Sequence, residues 1–518
     1  MYPGAYAAET PDRPAVVMSH TGETLTFAQL EDRSARIARL LHERGLRRGD
    51  TVALLAENSL VYYELYWAAL RSGLYLTAIN HHLKRGEIGY ILNDCGATAL
   101  VVSATKAAQG LEIVPDTPAI AHRFAVGGVV DGHEDFEAAL TATAPDPLDD
   151  DRVGGDMLYS SGTTGLPKAI KAPLPERRLA ESGDPFVGVF GTLYGWDRET
   201  VYLCPAPLYH AAPLRFGRWV HMLGGTVVVM PYFEPLDALD VIERYVVTHS
   251  QWVPTMFVRM LKLDEDERGR RDLSSHRVAV HAAAPCPADV KRAMIDWWGP
   301  ILHEYYAATE ANGITLIDSQ QWLAKPGSVG RAGLGVLHIC ADDGTELPHG
   351  EVGLVYFERE ALPFTYHNDP DKTRAAQHPD HPNWTTTGDL GYVDDDGYLF
   401  LTDRKAFTVI SGGVNIYPQE IEDVLTLHPK VFDIAVIGVP DDDLGEAVKA
   451  VVQVAPGVDA DQALADELLG HVRERLADYK VPRTLDFMDS LPRTATGKLQ
   501  KRKLVALYQP TDNLRPAR

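Results

Sequence analysis

Apolar positions in the first hundred residues fall into two periods. Leu30, Ile37, Leu40 and Leu41 recur at roughly helical spacing. Thr26 and Gln29 precede them as a capping box, in which hydroxyl and amide satisfy orphan N–H groups, and Gly45 follows as a terminator. Residues 51–55 then read as a buried strand, 62–72 as a helix closed by Gly73, and 74–79 as another strand. Strand-sized apolar runs return at 98–102, 225–230 and 277–281. This alternation predicts an α/β fold with a largely parallel sheet and crossover helices. No repeat of fixed period interrupts it.

The pattern changes near residue 400. A strand is expected at 407–410, then a Ser411-Gly412-Gly413 turn and a helix opening at Pro418, where proline forfeits no hydrogen bond. Strands at 433–439 and 447–454 and a helix within 461–476 complete a smaller α+β unit. The expected division is a large multi-subdomain N-terminal region at 1–402, a hinge at 403–406 and a small C-terminal domain at 407–518.

Composition narrows the classes. The 518 residues are 45% hydrophobic and 23% charged, which excludes disorder for most of the chain. With 49 Lys+Arg against 72 Asp+Glu, the net charge is −23, so no nucleic-acid partner is expected through the bulk surface. Residues 479–518 run against that trend and are basic. The four cysteines, Cys95, Cys204, Cys286 and Cys340, form no C-x-x-C pair, so neither a zinc ribbon nor a disulfide scaffold is expected. No apolar run reaches the ~18 residues of a membrane span, and residues 1–5 do not open a signal peptide. The expectation is a cytoplasmic protein, monomer or homodimer.

Chemistry concentrates at Tyr159-Ser160-Ser161-Gly162-Thr163-Thr164-Gly165-Leu166-Pro167-Lys168. Two glycines, four Ser/Thr hydroxyls and a lysine fall within these ten residues. Glycine lets backbone N–H groups converge on phosphate oxygens, hydroxyls add donors, and Lys168 adds a point charge. The run is not G-x-x-x-x-G-K-[ST]. Composition alone leaves it open whether this is a phosphate loop or a surface turn.

Ser161 to Lys168 resembles the phosphate loop of the adenylate-forming superfamily, which holds acyl- and aryl-CoA synthetases, peptide-synthetase adenylation domains and beetle luciferases. Further motifs follow in family order. Tyr305-Tyr306-Ala307-Ala308-Thr309-Glu310 is similar to the family's Y-G-x-T-E segment, with Ala307 in place of glycine. The resemblance implies ATP contacts from Ser161, Gly162, Thr163, Thr164, Gly165 and Lys168, and from Tyr305 and Tyr306, with Tyr306 against adenine. It further implies Thr309 at the α-phosphate and Glu310 on Mg²⁺. His281-Ala282-Ala283-Ala284-Pro285 matches the small-residue segment beside the base, giving Ala283, Ala284 and Pro285 to ATP and Ala282 to the acid. Thr385-Thr386-Thr387-Gly388-Asp389 resembles Y-x-T-G-D and makes Asp389 the ribose ligand.

Asp403-Arg404-Lys405 matches the hinge, so Arg404 inherits a ribose contact. Ala406 and Phe407 stand where relatives carry charged pivot residues. Ser411, Gly412 and Gly413 resemble the segment lining the pantetheine tunnel of CoA-forming members. Pro492-Arg493-Thr494-Ala495-Thr496-Gly497-Lys498 matches the last motif, which makes Lys498 the adenylation lysine. His210 falls at the acyl-pocket gate. Together with Trp252, Ala282, Ala307 and Gly313 it is expected to shape the acid pocket, which suits a medium-chain, aromatic or bulky alicyclic acid.

The expected activity is that of an AMP-forming acyl-CoA synthetase. A carboxylic acid, ATP and CoA would be its small-molecule partners and Mg²⁺ its cofactor. Two alternatives are a free-standing adenylation enzyme that loads a carrier-protein phosphopantetheine, and a nucleotide sensor without catalysis.

Overall fold

A computed structural model describes residues 2–160, 167–441, 443–494 and 499–508. The chain is α/β, with a large N-terminal domain and a small C-terminal one. The helix Phe27–Glu43 begins with the capping box the sequence predicts: Thr26 Oγ1 accepts from Gln29 N–H and Gln29 Oε1 accepts from Thr26 N–H. Its buried face includes Leu30, Ile37, Leu40 and Leu41. The strand Thr51–Leu55 is buried along its whole length because parallel strands flank it on both sides.

Two large sheets build the N-terminal domain. One has eight strands, with Gly155–Ser160 beside Tyr75–Ile79 on one edge and Lys168–Lys171 on the other. The second has nine strands. It places His249–Trp252, Val278–His281 and Leu302–Ala307 side by side and parallel. Apolar side chains from both sheets share one core, which includes Tyr62, Tyr66, Tyr202, Phe216, Val280 and Tyr305. A third, antiparallel sheet of five strands carries Asp389–Val393 paired with Leu399–Arg404.

The chain leaves that third sheet at Arg404, makes a short 3₁₀ turn at Lys405–Phe407 and enters the small-domain sheet at Val409. The expected strand over 407–410 therefore starts later, because the turn occupies Phe407. The small domain has its own core, with Val409, Ile421, Val436, Val452 and Leu468.

In open α/β sheets ligands gather beyond the carboxyl ends of parallel strands. Three such ends meet here. Gly155–Ser160 runs into the glycine-rich segment, Val278–His281 into Ala282–Pro285, and Leu302–Ala307 into the turn bearing Thr309 and Glu310.

Candidate active site

Asp389 is the centre of the site. Tyr306 donates its phenolic hydrogen to Asp389 Oδ2 at 2.7 Å, Thr387 Oγ1 donates to the same oxygen at 2.8 Å, and Arg404 Nε donates to Oδ1 at 3.0 Å. Strand register explains part of this arrangement, since Asp389 and Arg404 are opposite residues of one antiparallel pair. Gly388, at φ +85°, takes the left-handed turn that admits the carboxylate. Three motifs that are far apart in sequence thus converge on one buried carboxylate. Burial, reinforced by the Asp389 charge, raises the Tyr306 phenol far above its ordinary pKa, so it stays a donor.

Glu310 and Lys168 lie on the other side, joined by Tyr366. Tyr366 donates to Glu310 Oε1 at 2.8 Å, and the Lys168 ammonium lies 5.1 Å from the centre of the Tyr366 ring. Lys168 stands opposite Ser160 in the antiparallel pairing of Gly155–Ser160 with Lys168–Lys171. Burial lowers the Lys168 pKa, and the charges of Lys372 and Arg502 add to the effect. Arg502 follows the Lys498 motif in the small domain, so that part of the small domain faces the phosphate side.

The residues Ser161, Gly162, Thr163, Thr164, Gly165 and Lys498 lie outside the described residues. Thr309 lies in the turn with Glu310. Ala283 has φ +76° and Ala311, just after Glu310, has φ +51°. Left-handed backbone costs a non-glycine residue roughly 1 kcal/mol, and such strain gathers at functional sites. Ala284 and Pro285 continue the loop after Ala283.

Strand alternation divides the remaining candidates. Tyr305 and Tyr306 point to opposite faces of Leu302–Ala307, so Tyr305 does not join the Asp389 group. Its hydroxyl instead accepts from Gln251 Nε2 at 2.9 Å, and its ring stacks on Phe216. Ala282 and Ala307 pack in the same core as Tyr305, and His210 opens the helix Ala211–Met222 beside Tyr209.

Two expected pocket residues are placed elsewhere. Trp252 is turned to the opposite face from Gln251 and packs with Phe233, Phe257 and Trp298 in a separate core. A side chain on Gly313 would meet the Phe357 ring at 2.0 Å, so that glycine serves close packing. Tyr366, Gln251 and Arg215 carry no motif and were not legible as site residues, although period-2 alternation does set Gln251 against Trp252.

In the small domain, Gly412 at φ +58° and Gly413 at φ +82° form the two-residue turn between Val409–Ser411 and Val414–Ile416. Ile410 and Val414, on the two strands of this hairpin, are 55% and 46% exposed.

Comparison with known proteins agrees with this geometry. Residues 5–366 match the sequence family described as AMP-binding enzyme, and residues 420–498 match AMP-binding enzyme C-terminal domain. The chain belongs to the AMP-binding enzymes, the adenylate-forming superfamily. Within it, the chain is an AMP-forming acid–thiol ligase. It is 34% identical to fatty acid–[acyl-carrier-protein] ligase ScoC of Streptomyces coeruleorubidus, over 96% of this chain and 94% of that protein. It is 31% identical to long-chain-fatty-acid–CoA ligase FadD13 of Mycobacterium tuberculosis, over 98% and 97%. The crystal structure of the anthranilate CoA ligase AuaEII in complex with anthranoyl-AMP superposes with a TM-score of 0.84 at 26% identity, covering 98% of this chain and 96% of that one. Among the described residues no helix is long and apolar enough to cross a membrane.

Proposed function

We propose that the protein is an AMP-forming acyl-CoA synthetase. The observation that carries this reading is the convergence of Tyr306, Thr387 and Arg404 on Asp389. A carboxylate held by three donors, beside an aromatic ring, suits the vicinal hydroxyls of a ribose next to its base. Glu310 keeps one oxygen on Tyr366 and has a second to offer a hard cation, which fits Mg²⁺ completed by phosphate oxygens and water. Bound there, Mg²⁺ would screen phosphate charge.

In the first half-reaction a carboxylate oxygen attacks the α-phosphorus of ATP. The bond to the β-phosphate breaks, pyrophosphate leaves and an acyl-adenylate remains. Lys168 and Lys498 offset charge on the phosphate oxygens, and Thr309 donates to the α-phosphate. In the second half-reaction a thiol sulfur attacks the acyl carbon and AMP leaves with the bonding pair. The small domain turns about 403–406 between the two, withdrawing Lys498 and bringing the Gly412-Gly413 turn with Ile410 and Val414 to the thiol's path.

That turn supports CoA as the acceptor. The likeness to ScoC keeps a carrier-protein thiol as the second reading. Incubation with ATP, Mg²⁺ and an acid panel, with CoA, with a phosphopantetheinylated carrier protein, or with neither, tests both. AMP release that requires CoA and yields an acyl-CoA thioester supports the proposal. Acylation of the carrier alone supports the second reading, and absence of AMP release in every arm refutes both.

A further inference from the structure

The core around Tyr305 is built mainly of aromatic rings, yet a charged group is set into it. Asp156, on the strand leading to the glycine-rich segment, has only 6% side-chain exposure. Arg215 donates to it from Nε at 3.1 and 3.2 Å and from Nη2 at 2.6 Å, and Tyr66 donates its hydroxyl at 2.8 Å. Burial pushes the Asp156 pKa up, and the Arg215 charge and hydrogen bonds more than reverse that, so the carboxylate is ionised. Its oxygens are satisfied, but those of its partner's nitrogens are not all used. Arg215 Nη1 donates to nothing among the described residues.

Arg215 retains 23% side-chain exposure between Leu214 at 0% and Phe216 at 2%. Ala211, Ala212, Arg215 and Arg218 form the less buried stripe of the helix Ala211–Met222, and that stripe begins at His210. At 1.5 Å per residue, Arg215 lies about 7 Å along the axis from His210. Nearby, Arg218 and Arg177 both pair with Asp184, and the Glu181 carboxylate also acts on Arg177. In the same core, Gln251 joins Tyr202 and Tyr305 in a second polar chain.

We propose that the acid activated by this enzyme carries a hydrogen-bond-accepting oxygen on its distal portion, as a keto, hydroxyl or second carboxyl group, and that Arg215, held in place by Asp156, receives it. The proposal rests on the acid-ligase reading and adds the substrate class. An alkyl chain laid over Arg215 Nη1 strips water from a cationic donor and returns nothing. An acceptor oxygen replaces that water as the partner of the cationic donor. Sites built to hydrogen-bond a substrate group discriminate strongly against analogues that lack it.

The test compares ring-matched acids by kcat/KM for pyrophosphate release: cyclohexanecarboxylate, its 4-oxo and 4-hydroxy derivatives, and 1,4-cyclohexanedicarboxylate. Butyrate, decanoate and benzoate serve as plain references. An oxygenated acid is expected to exceed cyclohexanecarboxylate at least about 10-fold, and the best arm identifies the oxygen's chemical form. Arg215→Lys keeps the charge and can keep the Asp156 partner but loses the planar fork that holds Nη1 apart from that carboxylate, and it should reduce that ratio to within about threefold. A merely structural ion pair between the sheets would change stability and leave the ratio alone. Equal or better use of the plain acids by the wild-type enzyme overturns the proposal without any variant. An unchanged ratio in a folded Arg215→Lys enzyme also overturns it. If no acid releases pyrophosphate, the ligase reading falls and takes this proposal with it.

Discussion

Tyr366 connects two charges that the first half-reaction needs. Its hydroxyl fixes one oxygen of Glu310, and its ring face attracts the Lys168 ammonium. Tyr366→Phe removes only the hydroxyl, which leaves Glu310 less well oriented. The Mg²⁺ concentration for half-maximal adenylation should then rise about 3- to 10-fold, the scale of one hydrogen bond. Glu310→Gln removes the charge a hard cation prefers and should shift the titration further. Thiolysis of supplied acyl-AMP should be unaffected in both. Superimposable Mg²⁺ titrations would remove Glu310 and Tyr366 from the metal's surroundings. Lys498→Ala should slow pyrophosphate exchange by roughly 10²–10³ while sparing thiolysis; equal loss in the two assays would contradict a lysine that serves only the first step. Lys168, Glu310, Asp389 and Arg404 were legible because each stands in a motif with its own chemistry. Tyr366 was not, since its partner Glu310 is 56 residues away and a two-residue strand has no pattern to read. The same holds for Arg215 and Asp156, 59 residues apart.

At the scale of elements, periodicity carried most of the reading where strands are long or buried on both faces. The helix Phe27–Glu43 and the strands Thr51–Leu55, Tyr75–Ile79 and Val278–His281 are such cases. The antiparallel sheet containing Asp389–Val393 was not legible. Its outer strands are short or half-exposed, and their partners are set by tertiary contacts rather than by local pattern. The turn Lys405–Phe407 spans the end of the expected hinge at 403–406 and the first residue of the strand expected at 407–410. Lys405 is fastened to the large domain twice, by its N–H to Gly388 O at 3.0 Å and by its ammonium to Asp342 at 2.6 Å. Ala406 is exposed, and its N–H makes no backbone hydrogen bond among the described residues. Proline there would remove φ freedom without breaking a bond. Ala406→Pro should therefore hold one domain arrangement and slow one half-reaction at least about 10-fold more than the other, whereas Ala406→Lys should leave both largely intact. Pyrophosphate exchange and thiolysis of acyl-AMP follow the two steps separately. Equal rates for both steps in a folded Ala406→Pro enzyme would place the pivot elsewhere.

The two domains meet across ionisable groups whose proton affinities are displaced toward neutrality. On the large domain, Lys262 donates to the carbonyls of Val431 at 2.8 Å and Phe432 at 3.0 Å, and burial pulls its pKa down to about 8. On the small domain, burial pushes Asp423 up to about 7; Gln419 opposes this with a hydrogen bond at 2.7 Å, and Glu422 and, across the interface, Asp289 raise it further. Lys501, paired with Glu422 at 2.8 Å, is the cation facing this group. The two shifts have opposite signs. A carboxyl raised in the folded protein binds more protons than in the unfolded chain, so its contribution is fully present below about pH 4 and is lost as pH rises through 7. The lowered lysine works the other way, costing stability below pH 8 and recovering it above. Wild-type stability near neutrality is a balance of the two slopes, and Asp423→Asn removes one of them. The amide keeps the Gln419 contact and is never charged, so the repulsion from Glu422 and Asp289 disappears. The thermal midpoint of Asp423→Asn should exceed that of the wild type at pH 8, and the gap should close by pH 4.5, where Asp423 is already protonated. A midpoint difference that does not change between pH 4.5 and 8 would mean that Asp423 titrates as an ordinary carboxyl, and that this interface does not sense protons.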